Sequence, residues 1–264
     1  MDKALRHRVN AARIAVQNQV SFFRELFGQV ASEWKADETR VTFADYAITE
    51  KLFAELRRSF AEDQFISEES VPMDEVVELD SRYVWILDPI DGTNNYALGM
   101  AACAISLALL KEGNPVYGLI YDGSTGQLIE GGPGHGIRID KRKWKPIERT
   151  FEERAGIIGM HFPLPENRVD TLAPLMETYR VRSLGSAALQ LAYVALGRLD
   201  GSLDERVRVW DVAAAVALLG ATDRDIRFLS EPPFPLKRLD MQAGYIRYIA
   251  GSKEILARLE NWLG

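Results

Sequence analysis

Apolar residues recur at helical spacing near the start of the chain: Leu5, Val9, Ala12, Val16, Val20, Phe23 and Phe27. That period predicts one long amphipathic helix over Ala4 to Val30. Trp34 to Thr42 is polar and charged and predicts a loop. A second stripe, Ile48, Leu52, Leu56 and Phe60, predicts a helix from Ala44 to Phe60. Asp45 falls in its first turn, where negative charge suits the helix dipole. The pattern then shortens. Gln64 to Ser67, Tyr83 to Leu87, Ala101 to Lys111 and Val116 to Tyr121 read as strands, with turns at Gly113-Asn114-Pro115 and Asp122 to Gly126. The first half therefore reads as two helices against an antiparallel meander.

From about Arg149 strands and helices alternate. Strands are predicted at Ala155 to Met160, Val181 to Leu184, Leu199 to Leu203, Ile226 to Leu229 and Tyr248 to Ala250. Helices are predicted at Glu166 to Tyr179, Ala187 to Leu196, Asp211 to Leu219, and from the Ser252 cap to Trp262. Gly197 and Gly220 close two of them. This alternation implies an α/β half with a largely separate sheet. The expected division is residues 1–148 and 149–264.

Composition narrows the function classes. A length of 264 residues supports a large core, and a net charge of −6 argues against nucleic acid as a main partner. The short basic run Lys141-Arg142-Lys143 reads as a solvated hairpin end. Cys103, the single cysteine, excludes an intrachain disulfide and reads as a small core residue. The charged N-terminus lacks an apolar signal core, and the run from Ala101 to Leu110 is too short to span a membrane. A cytoplasmic protein with no membrane partner is expected.

The chemistry concentrates in Asp88-Pro89-Ile90-Asp91-Gly92-Thr93. Two carboxylates and a hydroxyl emerge there from an apolar strand. Oxygen donors at that spacing suit Mg²⁺, and carboxylate-held Mg²⁺ commonly handles phosphate. Glu68 ends a strand and Asp211 follows Trp210 at a helix start, where an N-cap is the plainer reading. Four such acids in one place would repel unless cations neutralised them. Thr93 can orient a water and pass a proton to Asp45, which needs no histidine. Gly92 and Thr93 offer backbone N–H groups to a phosphate oxygen. His7, His135 and His161 stand away from these motifs in sequence, so a phosphohistidine has little support. No Walker-type glycine loop is present, which argues against ATP chemistry.

These segments together resemble the inositol monophosphatase family of lithium-sensitive, Mg²⁺-dependent phosphatases. The likeness runs through Val41-Thr42-Phe43-Ala44-Asp45, Phe65-Ile66-Ser67-Glu68-Glu69-Ser70 and Trp85 to Asn95. It continues in Arg182-Ser183-Leu184-Gly185-Ser186-Ala187-Ala188 and Trp210-Asp211-Val212-Ala213-Ala214. The resemblance implies a layered αβαβα sandwich of the α/β (α+β) class, usually a homodimer. Its N-terminal antiparallel sheet and C-terminal mixed sheet each carry helices.

The same resemblance implies two or three Mg²⁺ ions held by Glu68, Asp88, the Ile90 carbonyl, Asp91 and Asp211. It gives catalytic roles to Thr93, Asp45 and Glu68. Substrate contacts would come from Gly92, Thr93, Gly185, Ser186, Ala187, Asp204 and Asp211. Ser67 stands where relatives mostly carry glycine, Asp204 where animal enzymes carry glutamate, and Thr222-Asp223-Arg224 where a glycine pair is usual. The expected activity is hydrolysis of a small phosphate monoester, first myo-inositol monophosphate. Histidinol phosphate, fructose 1,6-bisphosphate and 3′-phosphoadenosine 5′-phosphate are alternatives. A catalytically silent sensor of metal or phosphate is the competing class, and the complete ligand set argues against it.

Overall fold

The structure, a computed structural model, describes residues 1–34, 40–72, 75–146, 155–240 and 242–263. In chain order the first half holds α1 (Lys3–Leu26), β1 (Ser32–Trp34), β2 (Arg40–Thr42), α2 (Phe43–Arg57), β3 (Gln64–Ser67), β4 (Val76–Glu78) and β5 (Tyr83–Asp91). After these come α3 (Thr93–Ala97), β6 (Ala104–Lys111), β7 (Asn114–Asp122), β8 (Gln127–Gly132), β9 (Gly136–Ile139) and β10 (Arg142–Lys143). The second half holds β11 (Ile157–Met160), α4 (Val169–Thr178), β12 (Arg180–Arg182), α5 (Ala187–Ala195), β13 (Gly201–Val207) and α6 (Val209–Leu219). It ends with β14 (Asp225–Phe228), β15 (Arg238–Asp240), β16 (Ile246–Gly251) and α7 (Lys253–Leu263). The division expected at 148/149 falls in residues 147–154, outside the described residues.

A seven-stranded sheet runs β10-β9-β8-β7-β6-β5-β3, and a five-stranded sheet runs β12-β11-β13-β16-β14. The first is antiparallel except for the β3–β5 pair, which is parallel and corrects the purely antiparallel expectation. The second is mixed, as expected. Helices α1 and α2 cover one face of the first sheet, α5 and α6 fill the space between the sheets, and α4 and α7 cover the outer face of the second. This is the five-layered arrangement. Among the described residues, no helix is long and apolar enough to cross a membrane.

Strand β5 shows how sequence becomes layers. All nine of its residues are buried, because helices cover both faces. Tyr83, Trp85 and Leu87 join the core under α1 and α2, while Val84 and Ile86 join the core under α5 and α6. Asp88 continues the second set by the period-two rule. Three residues on, Asp91 would ordinarily face the opposite side. The register with β6 shifts between Asp88 and Asp91, and this bulge turns Asp91 toward α5 as well. The helix α6 lies hard against the same sheet: a methyl on Gly118 would sit 2.0 Å from the Ala214 carbonyl oxygen.

Several local expectations are corrected. Trp34 to Thr42 is not a plain loop, since β1 and β2 pair as an antiparallel ribbon; residues 35–39 lie outside the described residues. The Asp-Pro-Ile-Asp motif belongs to the strand itself, which runs to Asp91 rather than stopping at Leu87. The strand expected at Val181 to Leu184 lies at Arg180–Arg182, and that at Leu199 to Leu203 lies at Gly201–Val207, so Asp204 is a strand residue. The short helix α3 and the β4–β15 ribbon had no periodic signal long enough to announce them. The basic hairpin end is observed: Asp140 and Lys141 take positive φ between β9 and β10, and Arg142 and Lys143 are exposed.

Candidate active site

The site is assembled where β5, α3, α5 and α6 meet. Asp88, Asp91 and Asp211 each present a carboxylate oxygen, and these oxygens lie within 4.8 Å of one another. Asp88 Oδ1 accepts the Ile90 N–H at 3.1 Å, which orients that carboxylate. Asp91 Oδ2 accepts the Ala188 N–H at 2.7 Å and the Ser186 hydroxyl, so α5 opens directly on this acid. Asp211 is not an N-cap. It is the third residue of α6, and its Oδ2 accepts the backbone N–H of the cap residue Arg208 at 2.6 Å. The capping bond fixes the orientation of this carboxylate beside the cluster.

Charge and burial are in conflict here. Burial pushes Asp88 well above the ordinary carboxylate range, and the charges of Glu68, Asp91, Asp211 and Asp45 push the same way. Asp211 is raised well above it too, by burial first and then by Asp91 and Glu68. Asp91 rises only to about 6, because the hydrogen bonds from Ser186 and Ala188 oppose its burial. Glu68 thus acts electrically on all three acids. Its backbone N–H donates to the Leu87 carbonyl at 3.2 Å, which sets it beside the start of the motif. An all-oxygen, strongly acidic donor set of this kind fits a hard divalent cation, whose charge relieves the repulsion.

Thr93 and Asp45 stand next to the cluster. The Thr93 hydroxyl donates to the Ile90 carbonyl at 2.8 Å and reaches Asp45 Oδ1 at 3.4 Å. Asp45 Oδ2 is occupied: it accepts the Thr42 N–H at 2.8 Å and the Thr42 hydroxyl at 2.6 Å in the capping box of α2. Burial raises Asp45 to about 7, against the pull of both Thr42 hydrogen bonds. The Ile90 carbonyl keeps a second lone pair beyond the Thr93 hydroxyl.

The remaining expected residues fall around this centre. Gly92 is in the left-handed region at φ 85°, and a side chain there would meet the Gly185 carbonyl oxygen at 2.9 Å. Only glycine lets α3 and the loop before α5 approach so closely. Asn95 Nδ2 donates to the Ala102 and Leu184 carbonyls, each at 2.7 Å, and so ties the two segments together. Ser186 is the N-cap of α5, with Ala187 its first residue. Ser67 is buried and its hydroxyl braces the turn into Glu68, 3.0 Å from Thr49 Oγ1 and accepting the Glu69 N–H at 3.3 Å. Asp204, only 3% exposed, lies on β13 facing the same layer.

Three further residues outside the sequence motifs lie around the site. His161 follows β11 and acts electrically on Asp91 and Asp204. Tyr248 is fully buried on β16 opposite Asp204. Tyr193 donates to Asp122 Oδ2 at 2.8 Å and pins α5 to β7. No local motif marks any of them; strand register brings Tyr248 opposite Asp204.

Comparison with known proteins agrees with this geometry. The inositol monophosphatase family model matches residues 1–232. An inositol-1-monophosphatase of Bacillus subtilis is 35% identical over 191 residues, covering 70% of this chain and 71% of the relative. A fructose-1,6-bisphosphatase of Pyrococcus furiosus is 35% identical over 145 residues, 54% of each chain. The crystal structure of the extragenic suppressor protein suhB from Bartonella henselae superposes with a TM-score of 0.83 at 27% identity, covering 97% of this chain and 98% of that one. With the family model spanning most of its length, the chain belongs to the inositol monophosphatase family.

Proposed function

We propose that the chain hydrolyses a small polyol phosphate monoester, most readily myo-inositol monophosphate, with Mg²⁺ held by Glu68, Asp88, Asp91, Asp211 and the Ile90 carbonyl. The observation that carries this reading is the packing of three carboxylates within 4.8 Å beside the Thr93–Asp45 pair. When bound, Mg²⁺ supplies neutralising charge to phosphate oxygens and makes water acidic enough to attack near neutral pH. The chain's own groups orient the reactants. Thr93 accepts a hydrogen bond from the attacking water and hands its proton to Asp45 Oδ1. A carboxyl raised to about 7 is poised to receive it at neutral pH. The N–H groups of Gly92 and Thr93, and the loop Gly185-Ser186-Ala187, contact phosphate and alcohol. The water oxygen bonds to phosphorus as the ester P–O bond breaks; the other water hydrogen stays on the phosphate, the leaving alkoxide takes a proton from solvent, and the proton held on Asp45 returns to solvent.

Inhibition by lithium, a homodimeric state and a cytoplasmic setting belong to the same reading. Fructose 1,6-bisphosphate is the second candidate, on the strength of the Pyrococcus relative. The deciding experiment is phosphate release from a panel of esters with and without Mg²⁺. Turnover that needs Mg²⁺ and vanishes in Asp88→Asn supports hydrolysis. No turnover on any ester supports the silent sensor.

A further inference from the structure

Helix α2 lies along β3 in matched steps. Asp45, Thr49 and Phe53 follow one another at i, i+4 spacing on the buried face of α2. On β3, Phe65 packs in the core under α1 and α2 and Ile66 in the core under α5 and α6, so Ser67 faces α2 again. Four helical residues rise about 6 Å and two strand residues about 6.6 Å, so the two rows keep pace. The Phe53 and Phe65 rings meet edge to face with centroids 5.2 Å apart. One step on, Thr49 Oγ1 and Ser67 Oγ lie 3.0 Å apart. The next step in the same direction brings Asp45 toward Glu68 and Glu69, whose charges act on it.

The rungs of this ladder change character: apolar, then hydroxyl, then like-charged. The last pushes helix and turn apart. The turn itself is fastened locally. The Ser67 N–H donates to Ser70 Oγ at 2.8 Å, the Glu69 N–H to Ser67 Oγ at 3.3 Å and the Ser70 N–H to the Ser67 carbonyl at 3.0 Å. The Glu68 N–H donates to the Leu87 carbonyl at 3.2 Å, one residue before Asp88. These bonds hold the turn to itself and to β5, and the Thr49–Ser67 bond ties it to α2. A serine hydroxyl that accepts the Glu69 N–H can still donate its own proton to Thr49. Ser67 is fully buried and Thr49 is 8% exposed, so little water competes for that bond.

We infer that the Thr49–Ser67 hydroxyl pair is a clamp that holds the Glu68 turn against α2 before a divalent cation binds, which makes Thr49 and Ser67 positioning residues for metal uptake. Its role rests on Glu68 being a metal ligand, the reading given above. Without the clamp, repulsion lets turn and helix part, and a cation must draw them together again as it binds. Ligands already in place bind more tightly because less ordering remains to be done. Loss of the clamp therefore weakens Mg²⁺ binding while turnover at saturating Mg²⁺ stays nearly unchanged. A plain packing contact would instead lower stability equally with and without the metal.

The test titrates metal-free protein with Mg²⁺ by calorimetry and follows the melting temperature alongside. Thr49→Val, of nearly the same shape, should raise the Mg²⁺ dissociation constant about 5-fold, the scale of one hydrogen bond, and shrink the gain in melting temperature on adding Mg²⁺. Thr49→Ser, which keeps the hydroxyl, should restore the affinity. Ser67→Ala should weaken binding at least as much, because it also removes the acceptor of the Glu69 N–H. The double variant should show less than the product of the two single effects. An unchanged dissociation constant in Thr49→Val, an equal fall in melting temperature with and without Mg²⁺, or a Thr49→Ser variant no better than Thr49→Val overturns the clamp. If Thr49→Val does not fold, Ser67→Ala decides by the same titration. If the unsubstituted protein takes up no Mg²⁺, the metal reading falls and the clamp with it. If it binds Mg²⁺ and the variants bind equally well, the clamp alone falls.

Discussion

The acid cluster and the His161–Asp204–Tyr248 row are neighbours built by opposite means. Asp88 and Asp91 come from one hexapeptide, and a strand bulge aims both at the same layer. With Asp211, each is tied to the backbone: the Ile90 N–H donates to Asp88, the Ala188 N–H to Asp91 and the Arg208 N–H to Asp211. The row is drawn from segments far apart in sequence: Asp204 on β13 pairs with Tyr248 on β16, and His161 follows the end of β11. One of its buried oxygens remains unpartnered. Each acid of the cluster is oriented by a backbone N–H.

The hardest blow to that contrast is Asp88→Asn. It removes a charge from the cluster and leaves the row intact, so turnover of inositol 1-phosphate and p-nitrophenyl phosphate should fall together. A loss of roughly 10³-fold or more is expected, the scale of removing a main electrostatic element from a phosphoryl-transfer site. Steady-state assays at saturating Mg²⁺ check it. If the two esters responded differently, the cluster would be doing more than the chemistry common to both.

Thr93→Ala comes next. It deletes the hydroxyl that lies 3.4 Å from Asp45 Oδ1 and 2.8 Å from the Ile90 carbonyl. A fall of about 10²-fold in kcat is expected, with KM little changed, because the hydroxyl orients water rather than substrate. Thr93→Ser should restore most of the rate. A rise in KM without loss of kcat would move Thr93 from the water to the substrate.

Legibility in the sequence follows the same division. The chain's periodicity reveals α1 and α2, since their buried stripes sit on regular spacings. Asp88, Asp91 and Thr93 are legible because the motif is contiguous. Asp211 is legible as an acid at a helix start, but its place as third residue behind Arg208 depends on where β13 ends. Asp204 lies beyond the strand expected from apolar content alone, because β13 continues through charged residues whose partners, Arg168 and Arg247, lie elsewhere. His161 carries no local signal. Its neighbours along the chain are Met160 and Phe162, and Met160, the last residue of β11, pairs with Leu203. Distance along the chain is a poor measure of nearness to a site at the end of a strand.

Ser186→Ala probes the joint between the two regions. The hydroxyl donates to Asp91 and also accepts the Leu189 N–H at 3.3 Å as the cap of α5. Its loss should lower stability by about 1 kcal/mol, as for other serine caps. The Mg²⁺ concentration for half-maximal turnover should rise roughly 10-fold, as when a partner of a metal ligand is removed. Thermal melts and a Mg²⁺ titration separate the two effects. A stability loss with unchanged Mg²⁺ dependence would reduce Ser186 to a helix cap.

The smallest effect is on stability against pH, and its sign distinguishes the strained cluster from an ordinary paired carboxylate. In the unfolded chain the acids ionise near 3.8, whereas folding raises Asp91 to about 6 and Asp45 to about 7. Between those limits the folded chain binds more protons than the unfolded chain, so linkage makes stability fall as pH rises. The contribution is complete below the unfolded value and is lost as pH rises through the two folded values. In EDTA the melting temperature should therefore decline from about pH 5 to about pH 8. Mg²⁺ should stabilise the protein more at the upper end, where protons no longer compete for the carboxylates. In Asp45→Asn, which keeps an acceptor for Thr42, the slope should be shallower. A melting temperature that climbed across this window in EDTA would mean that the acids are paired rather than repelled, and the case for a divalent cation would lose its physical basis.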